Sequence, residues 1–310
     1  MVNFYKYLRI LPGLIAILMF VSCEKFKGGQ TIPSYIRIDS VVLMNNTQVE
    51  AGNYLTQNFT DVWIYVDDQS IGAFELRGTH ADDPLIIPIL EEGVHKLTVY
   101  AGIKLNGISS TRLAYPMVKP VIYEDFLFTV DSITNVFPYP SVSYYETSTF
   151  AWIEEFEDAS LTLDETNNSD TVLTTLQHTP VSATLGHQSG IAWVDDKNPV
   201  FEVITVQNEV PGFVLPGNGQ PVALEIDFNI SVHMAIGLYI TRISGDDSQH
   251  PVLILNPTNN EWKKVYVNFT ATIEAYPGGD YYNVYFRAEN QSYINVGEIK
   301  IDNLKLVYRG

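Results

Sequence analysis

After about residue 33, apolar and polar residues alternate along most of the chain, without the three- and four-residue apolar spacing of an amphipathic helix. Alternation is typical of β-strands that bury one face, because successive side chains point to opposite sides of a sheet. The alternating runs are bounded by Gly, Pro, Asn and Asp, which favour turns. The pattern therefore predicts an all-β chain.

The first half of this region contains several short alternating runs. The clearest are Tyr35–Leu43, Val62–Val66, Ile71–Leu76, Val94–Ala101 and Phe126–Val130. About seven strands within about 105 residues are what an Ig-like sandwich requires. We therefore predict an Ig-like β-sandwich over residues 33–136.

Alternation is cleaner in the second half of the chain. Residues expected to share a buried face on their strand are Leu224, Ile226, Phe228 and Ile230; Val265, Val267 and Phe269; Val284 and Phe286; and Ile299 and Ile301. The segment Phe137-Pro138-Tyr139-Pro140 precedes this half, and its prolines remove N–H donors and favour extended backbone. We predict a proline-containing linker over residues 137–149 and a second β-domain over residues 150–310.

Composition and charge narrow the possible functions. The chain has 310 residues, of which 46% are hydrophobic and 17% charged, so it can build two cores of ordinary size. Its net charge of −18 opposes binding to nucleic acid, which depends on Lys and Arg neutralising phosphates. We predict no nucleic-acid partner. A single cysteine can form neither an intramolecular disulfide nor a structural zinc site.

That cysteine closes an N-terminal targeting segment. Lys6 and Arg9 precede an apolar run from Ile10 to Val21, which is shorter than the roughly 20 residues that span a bilayer. The run is therefore typical of a signal peptide. The following residues to Ile32 include Gly28-Gly29 and polar side chains, and we predict a flexible tether over residues 23–32.

The tetrad Phe20-Val21-Ser22-Cys23 resembles the lipobox of bacterial lipoproteins, although leucine is usual where Phe20 stands. The resemblance implies that residues 1–22 are a lipoprotein signal peptide. It also implies that Cys23 is lipidated and anchors an outer-membrane lipoprotein of the Bacteroidota type. The alternative is an ordinary secretory signal followed by an incidental cysteine. The side of the outer membrane stays open.

Two resemblances concern the folded domains. The stretch VWIYVDDQSIGAFEL, followed by EEGVHKLTVYAG, is similar to small PEGA-type surface β-domains, which are usually spacers or adhesion modules. The second domain carries Phe156-Glu157-Asp158 early, EWKKVYVNFT later and GEIKIDNLKLV near residue 307. This order resembles the galactose-binding-like β-jelly-roll of carbohydrate-binding modules, in which the early and late strands lie side by side.

The jelly-roll resemblance also implies a structural calcium ion held by Glu157, Asp158 and Asp302. Calcium prefers several oxygen ligands, which carboxylates from the two ends of the domain would supply. The alternative is that Glu157 and Asp158 are solvated or accept hydrogen bonds from the backbone near a strand start.

Residues between the apolar positions are expected on the opposite face of the second domain. They include the glycan-binding candidates Tyr239, Tyr266, Tyr285, Arg287, Asn268 and Asp227. Aromatic rings stack on sugars, while amides, carboxylates and arginine bond to hydroxyl groups. The alternative is that tyrosine is simply a good strand residue. Trp262 is expected in the core.

No catalytic motif is evident, because the six histidines are scattered and no His-Glu-x-x-His or phosphate-binding loop occurs. The leading hypothesis is a non-catalytic, lipid-anchored outer-membrane protein whose jelly-roll binds glycan. The rival is an accessory lipoprotein that docks on an outer-membrane barrel or transport complex. A glycoside hydrolase is third, and it requires two carboxylates roughly 5–9.5 Å apart.

Overall fold

The computed structural model describes residues 32–76, 84–136, 139–207, 211–245, 247–290 and 295–310. Cys23, the expected signal peptide and nearly all of the expected tether lie outside the described residues, as do Phe137 and Pro138. Across the described ranges, no helix is long and apolar enough to cross a membrane.

The first domain is a β-sandwich. Its strands are β1 (Ser34–Ile38), β2 (Val42–Leu43), β3 (Asp61–Val66), β4 (Gln69–Glu75), β5 (Leu85–Ile89), β6 (Gly93–Lys104), β7 (Arg112–Ala114), β8 (Val121–Phe128), β9 (Ile133–Asn135) and β10 (Ser141–Val142). One sheet has the order β5-β1-β9, a second the order β4-β3-β6-β7 with β8 also paired to β6, and β10 pairs with β2. Isoleucine, leucine and valine side chains from the two larger sheets form one core between them.

Local sequence explains the hairpin between β3 and β4. Asp67 and Asp68 at its tip both have positive φ angles, 47° and 64°. Two central residues with positive φ match the right-handed twist of the flanking strands, and Asp tolerates this conformation better than most residues. The expected strand Tyr35–Leu43 is divided, because β1 ends at Ile38 and β2 begins at Val42.

The second domain is a two-sheet β-jelly-roll. Its elements are β11 (Ser148–Glu154), β12 (Leu163–Glu165), β13 (Thr174–Ser182), β14 (Gly186–Asp195), β15 (Val200–Thr205), β16 (Val222–Ile230), β17 (Met234–Thr241), β18 (Ser248–Leu255), β19 (Lys263–Asn268), α1 (Thr270–Ala275), β20 (Tyr281–Glu289) and β21 (Val296–Arg309). The six-stranded sheet has the order β13-β14-β21-β16-β19, with β11 also paired to β21, and the five-stranded sheet has the order β12-β15-β20-β17-β18. The all-β prediction is confirmed.

The strand faces expected to be buried lie between these two sheets. Leu224, Ile226, Val267, Val284 and Phe286 are all fully buried in the jelly-roll core. The early strand β11 pairs antiparallel with the late strand β21, as the jelly-roll resemblance implies.

The described part of the expected linker 137–149 packs on the first domain. Val142 pairs with Leu43 through β10 and β2 and is buried, and Tyr144 lies in the first-domain core. The jelly-roll begins with β11 at Ser148, two residues before the expected start at 150. The segment therefore fixes the two domains together instead of separating them.

Residues of both domains form the core of the first domain, which we call the shared core, while the jelly-roll also has a separate core between its sheets. Ala223, Tyr266 and Val307 of the jelly-roll pack in the same apolar cluster as the first-domain core. At this boundary Glu225 Oε1 accepts hydrogen bonds from the hydroxyls of Tyr115, at 2.6 Å, and Tyr144, at 2.8 Å. Buried hydrogen bonds to a carboxylate are among the stronger ones in proteins, so the interface is both apolar and specifically bonded.

Candidate functional site

The expected glycan-binding residues lie on opposite sides of the jelly-roll. Tyr239, Tyr285 and Arg287 are on β17 and β20 of the five-stranded sheet, whereas Tyr266 and Asp227 are on β19 and β16 of the six-stranded sheet. The prediction of one shared face is therefore wrong. Alternation shows which residues point away from a core, but it does not show which of the two sheets a strand joins.

Tyr266 is covered by the first domain and is only 2% exposed. Its hydroxyl accepts a hydrogen bond from the backbone N–H of Asn58 at 3.0 Å, and its ring stacks on Phe59 with 6.4 Å between the ring centroids. Burial raises the pKa of its hydroxyl well above the ordinary value. The assignment of Tyr266 to a glycan-binding surface is wrong, because no sugar can reach the ring while the two domains are joined.

Asp227 and Asn268 also face the first domain. Asp227 is buried, and its Oδ2 accepts hydrogen bonds from Thr56 Oγ1 at 2.5 Å and Asn303 Nδ2 at 2.9 Å. Asn268 is half-buried, and its backbone N–H donates to Asn106 Oδ1 at 2.8 Å. These residues hold the interface together, and their assignment to a free glycan-binding face is a second correction.

The outer face of the five-stranded sheet carries a buried carboxylate with many partners. Glu202 Oε1 on β15 accepts hydrogen bonds from Thr166 Oγ1 at 2.6 Å and Asn168 Nδ2 at 3.0 Å. Its Oε2 accepts from Arg287 Nη1 at 2.6 Å and from Gln249 Nε2 at 3.5 Å. Burial opposes the charge on Glu202, but these hydrogen bonds outweigh it and the pKa of the carboxyl is lowered. The carboxylate therefore stays ionised at neutral pH.

Two tyrosines lie on the same sheet as this carboxylate. Tyr285 lies directly over Gly237, where an added Cβ atom would lie 2.6 Å from the ring, and it is only 3% exposed. Burial, with a smaller effect of nearby Glu202, raises the pKa of its hydroxyl to about 12. Tyr239 on the neighbouring strand is half-buried and presents part of its ring to solvent. We call Tyr239, Tyr285, Arg287, Glu202 and Gln249 the polar sheet face.

Glu202 and Gln249 were not among the residues expected in a site. The sequence does carry a signal for Glu202, because it is the one charged residue of β15 and stands between the apolar Phe201 and Val203. An acid in such a position points away from the core and needs partners if it is buried. Gln249 carries no comparable signal, since glutamine is common on exposed strand positions.

The expected calcium ligands do not form a cation site in the described residues, where no group of three or more acidic, histidine or cysteine side chains is suitably placed. Glu157 Oε1 accepts hydrogen bonds from the backbone N–H groups of His187 and Gln188 at 2.7 and 3.1 Å. Asp158 is exposed. These contacts match the alternative of backbone bonding and solvation near a strand start, and the three carboxylates do not fit a calcium ion as they stand.

Asp302 and Lys305 are buried charged residues on β21. Burial, together with the nearby carboxylates of Asp227, Glu157 and Glu155, raises the pKa of Asp302 to about 9. Its Oδ1 accepts from the backbone N–H of Asn303 at 2.7 Å, and its Oδ2 has no partner. Burial also lowers the pKa of Lys305 to about 8.

Comparisons with known proteins found no matching family model and no matching curated protein. Among solved structures, a tailspike protein of bacteriophage CBA120 is 14% identical with a TM-score of 0.34, and the match covers 47% of this chain and 19% of the tailspike chain. A family 22 carbohydrate-binding module of Clostridium thermocellum is 12% identical with a TM-score of 0.35, covering 52% of this chain and 92% of the module. A structure of carbohydrate-binding modules from the β-sandwich superfamily is 10% identical with a TM-score of 0.35, and the match covers 88% of this chain and 97% of the other.

The first of these matches spans about a fifth of the tailspike chain. At these identities and TM-scores, none of the likenesses carries an argument about a ligand or a reaction. The function is therefore argued from the side chains of this chain alone.

Proposed function

We propose that this protein is a non-catalytic glycan-binding protein and that the polar sheet face contacts the sugar. The observation that carries the proposal is that Tyr239, Tyr285 and Arg287 lie on neighbouring strands of one sheet, with Arg287 opposite the buried carboxylate of Glu202. A half-exposed tyrosine ring offers an apolar surface for a sugar ring. The half-buried Arg287 and the exposed Gln249 on the same sheet offer hydrogen-bond donors to sugar hydroxyls, while the buried Glu202 holds Arg287 in place.

The hydrogen bonds around Glu202 support this proposal because they fix the site before any ligand arrives. Thr166, Asn168 and Arg287 hold the carboxylate from three directions. A site whose side chains are already ordered loses less entropy on binding than a site that must be assembled. Tyr285 packs over Gly237 and is nearly fully buried, so its ring is held in place on the same sheet as the more exposed Tyr239.

Glycan-array screening of the full chain, followed by calorimetric titration of any sugar found, tests the proposal. The full chain is required because the first domain covers Ala223, Tyr266 and Val307 on the outside of the jelly-roll. Tyr239→Ala is expected to weaken binding by roughly tenfold, since one stacked ring is lost. Tyr139→Ala, which removes an exposed tyrosine between the domains, is the matched control and is expected to bind normally. Absence of binding to every glycan would refute the proposal.

We further propose that Cys23 is lipidated and anchors the protein to the outer membrane. The support is the sequence Phe20-Val21-Ser22-Cys23 at the end of the apolar run. Mass spectrometry of the purified protein is expected to show an N-terminal diacylglyceryl cysteine, and Cys23→Ser is expected to release the protein from membranes. Retention of unmodified cysteine in the mature protein would contradict anchoring.

Docking to an outer-membrane barrel protein is the second candidate function. It is favoured by Val94 on β6 and Leu127 on β8, which are paired neighbours and yet 60% and 55% exposed. Adjacent exposed apolar side chains are typical of contact surfaces. Extraction in mild detergent and co-purification separates the two functions: a stoichiometric barrel partner supports docking, whereas free protein with sugar affinity supports glycan binding.

A further inference from the structure

A cleft of about 1050 Å³ lies between the two domains. It is bordered by residues 42–43, 55–58 and 106–107 of the first domain, and by residues 184–185, 253–257 and 262–265 of the jelly-roll. Small-molecule sites commonly have volumes of about 300–1,000 Å³ and often lie at domain interfaces. The cleft is therefore large enough for a ligand of several sugar rings.

Hydrogen bonds between the domains fix the walls of the cleft. Asn58 Nδ2 donates to the backbone carbonyl of Lys264 at 2.9 Å, and Lys264 Nζ donates to Thr56 Oγ1 at 3.0 Å. The backbone N–H of Asn106 donates to the carbonyl of Tyr266 at 2.9 Å. The cleft is consequently part of the folded interface, and its shape is set before a ligand binds.

An extended peptide is a poor fit for this cleft. Both sheets end here, at β18 and β19, and such edge strands can accept an additional strand when their backbone groups are free. Pro251 and a bulge opposite Gly237 interrupt β18, and proline offers no N–H donor. On β19, the carbonyls of Lys264 and Tyr266 already accept hydrogen bonds from the first domain. A ligand must therefore be held by side chains.

The side chains in the cleft favour a carbohydrate. Trp262, which the sequence places in the core, is half-buried and forms part of the cleft wall, so that expectation is wrong. Exposed Asn256 and Lys263 border the same space, and Ile254 beside them is 61% exposed. An indole ring next to amide and ammonium donors provides both a stacking surface and hydrogen bonds for hydroxyl groups.

Charge favours a neutral sugar over an acidic one. Lys264, the buried cation of the cleft, lies 3.4 Å from Glu225 and 3.9 Å from Asp227, so its charge is compensated. The net charge of −18 repels an anionic polymer at longer range. Lys263 is exposed, so solvent and salt screen its charge, and its ammonium group is offered to the ligand as a hydrogen-bond donor.

We propose that the interdomain cleft is a binding site for a neutral oligosaccharide, with Trp262 stacked on a sugar ring and Asn256 and Lys263 bonded to hydroxyl groups. The inference rests on the proposed glycan-binding function and adds a second site to it, at the edge of the jelly-roll where β18 and β19 end the two sheets. It also gives the first domain a part in recognition, because residues 55–58 form one wall.

Calorimetric titration of the full chain with β-1,4-linked hexaoses of xylose, glucose, mannose and galactose tests this inference. Trp262→Ala is expected to weaken binding of at least one hexaose by roughly tenfold, whereas Trp262→Phe, which keeps a ring, retains most of the affinity. Trp193→Ala removes a 44% exposed tryptophan on β14 outside the cleft and is expected to bind normally. Asn256→Arg, which adds bulk at an exposed cleft position, is expected to weaken binding without disturbing the fold.

The outcomes separate this inference from the function on which it rests. Loss of affinity in both Trp262→Ala and Asn256→Arg, with Trp193→Ala unchanged, supports the cleft. Binding that is lost in Tyr239→Ala but unaffected by Trp262→Ala and Asn256→Arg overturns the cleft and leaves the proposed function intact. Failure of the unaltered chain to bind any of these hexaoses overturns the cleft inference, and failure on the wider glycan array also refutes the proposed function.

Discussion

Replacement of Asp302 by asparagine is expected to stabilise the protein. Asp302 is 1% exposed, its Oδ2 has no hydrogen-bond partner, and three other carboxylates raise its pKa further. At neutral pH the folded protein must therefore keep this carboxyl protonated, whereas the unfolded chain ionises it. Keeping the carboxyl protonated costs folding free energy at neutral pH. Asparagine has nearly the same size and shape and carries no titratable proton, so Asp302→Asn removes that free-energy cost.

The magnitude follows from the two pKa values. The pKa of Asp302 is 3.8 in its ordinary state and about 9 in the folded protein. Between these two pKa values, the folding free energy becomes less favourable by about 1.4 kcal/mol for each pH unit above 3.8. Asp302 therefore destabilises the folded protein by roughly 4 kcal/mol at pH 7 and by roughly 2 kcal/mol at pH 5. Because the folded state binds the additional proton, stability is lost as the pH rises from about 4 to about 9. The unfolding free energy of Asp302→Asn is expected to lack this decrease with rising pH.

Urea denaturation of both proteins at pH 5, 7 and 8.5, followed by circular dichroism, measures the difference in unfolding free energy. The gap between Asp302→Asn and the unaltered chain is expected to widen as the pH rises. Asp227→Asn on the adjacent strand is the matched control and is expected to destabilise, because Asp227 accepts hydrogen bonds from Thr56 and Asn303. A variant no more stable than the unaltered chain at pH 7, or a gap that is independent of pH, would refute the reasoning. If a calcium ion were bound at Asp302, Asp302→Asn would be less stable than the unaltered chain, and EDTA would lower the melting temperature of the unaltered chain.

Three further substitutions test the interface and the polar sheet face. Tyr115→Phe removes one of the two hydroxyls bonded to Glu225 and is expected to lower the unfolding free energy by about 1–3 kcal/mol in urea denaturation. Tyr266→Ala empties part of the shared core and is expected to lower the unfolding free energy by about 3–5 kcal/mol. Near-ultraviolet dichroism and tryptophan fluorescence are expected to change in one transition, and two separated transitions would contradict a shared core. Gly237→Ala places a methyl group 2.2 Å from the carbonyl oxygen of His250, and we expect a melting temperature several degrees lower together with weaker glycan binding.

Much of the fold follows from the alternation of side chains along each strand. Leu224, Ile226 and Val267 are buried as expected, because a period of two leaves each strand only one apolar face. Alternation also separates Tyr239 and Tyr285 correctly from their core-facing neighbours. These features depend on residues close together in the chain, so the sequence contains them directly.

The site was predictable only in part, because it depends on contacts between distant segments. Tyr266 has the same alternation pattern as Tyr285, yet one joins the six-stranded sheet and meets the first domain while the other joins the five-stranded sheet. The partners of Tyr266 are Asn58 and Phe59, about 200 residues earlier in the chain. No local pattern distinguishes a tyrosine that packs against another domain from one that faces solvent.

The shared core has a consequence for the order in which the protein folds during synthesis. The first domain is completed by Tyr266 and Val307, which are made after all of its own strands. Before Glu225 is made, the hydroxyls of Tyr115 and Tyr144 lack their hydrogen-bond partner, and until Tyr266 and Val307 follow, the apolar surface around them stays uncovered. A newly made first domain should therefore be prone to aggregation, and its protection by chaperones should end only when β21 has been delivered.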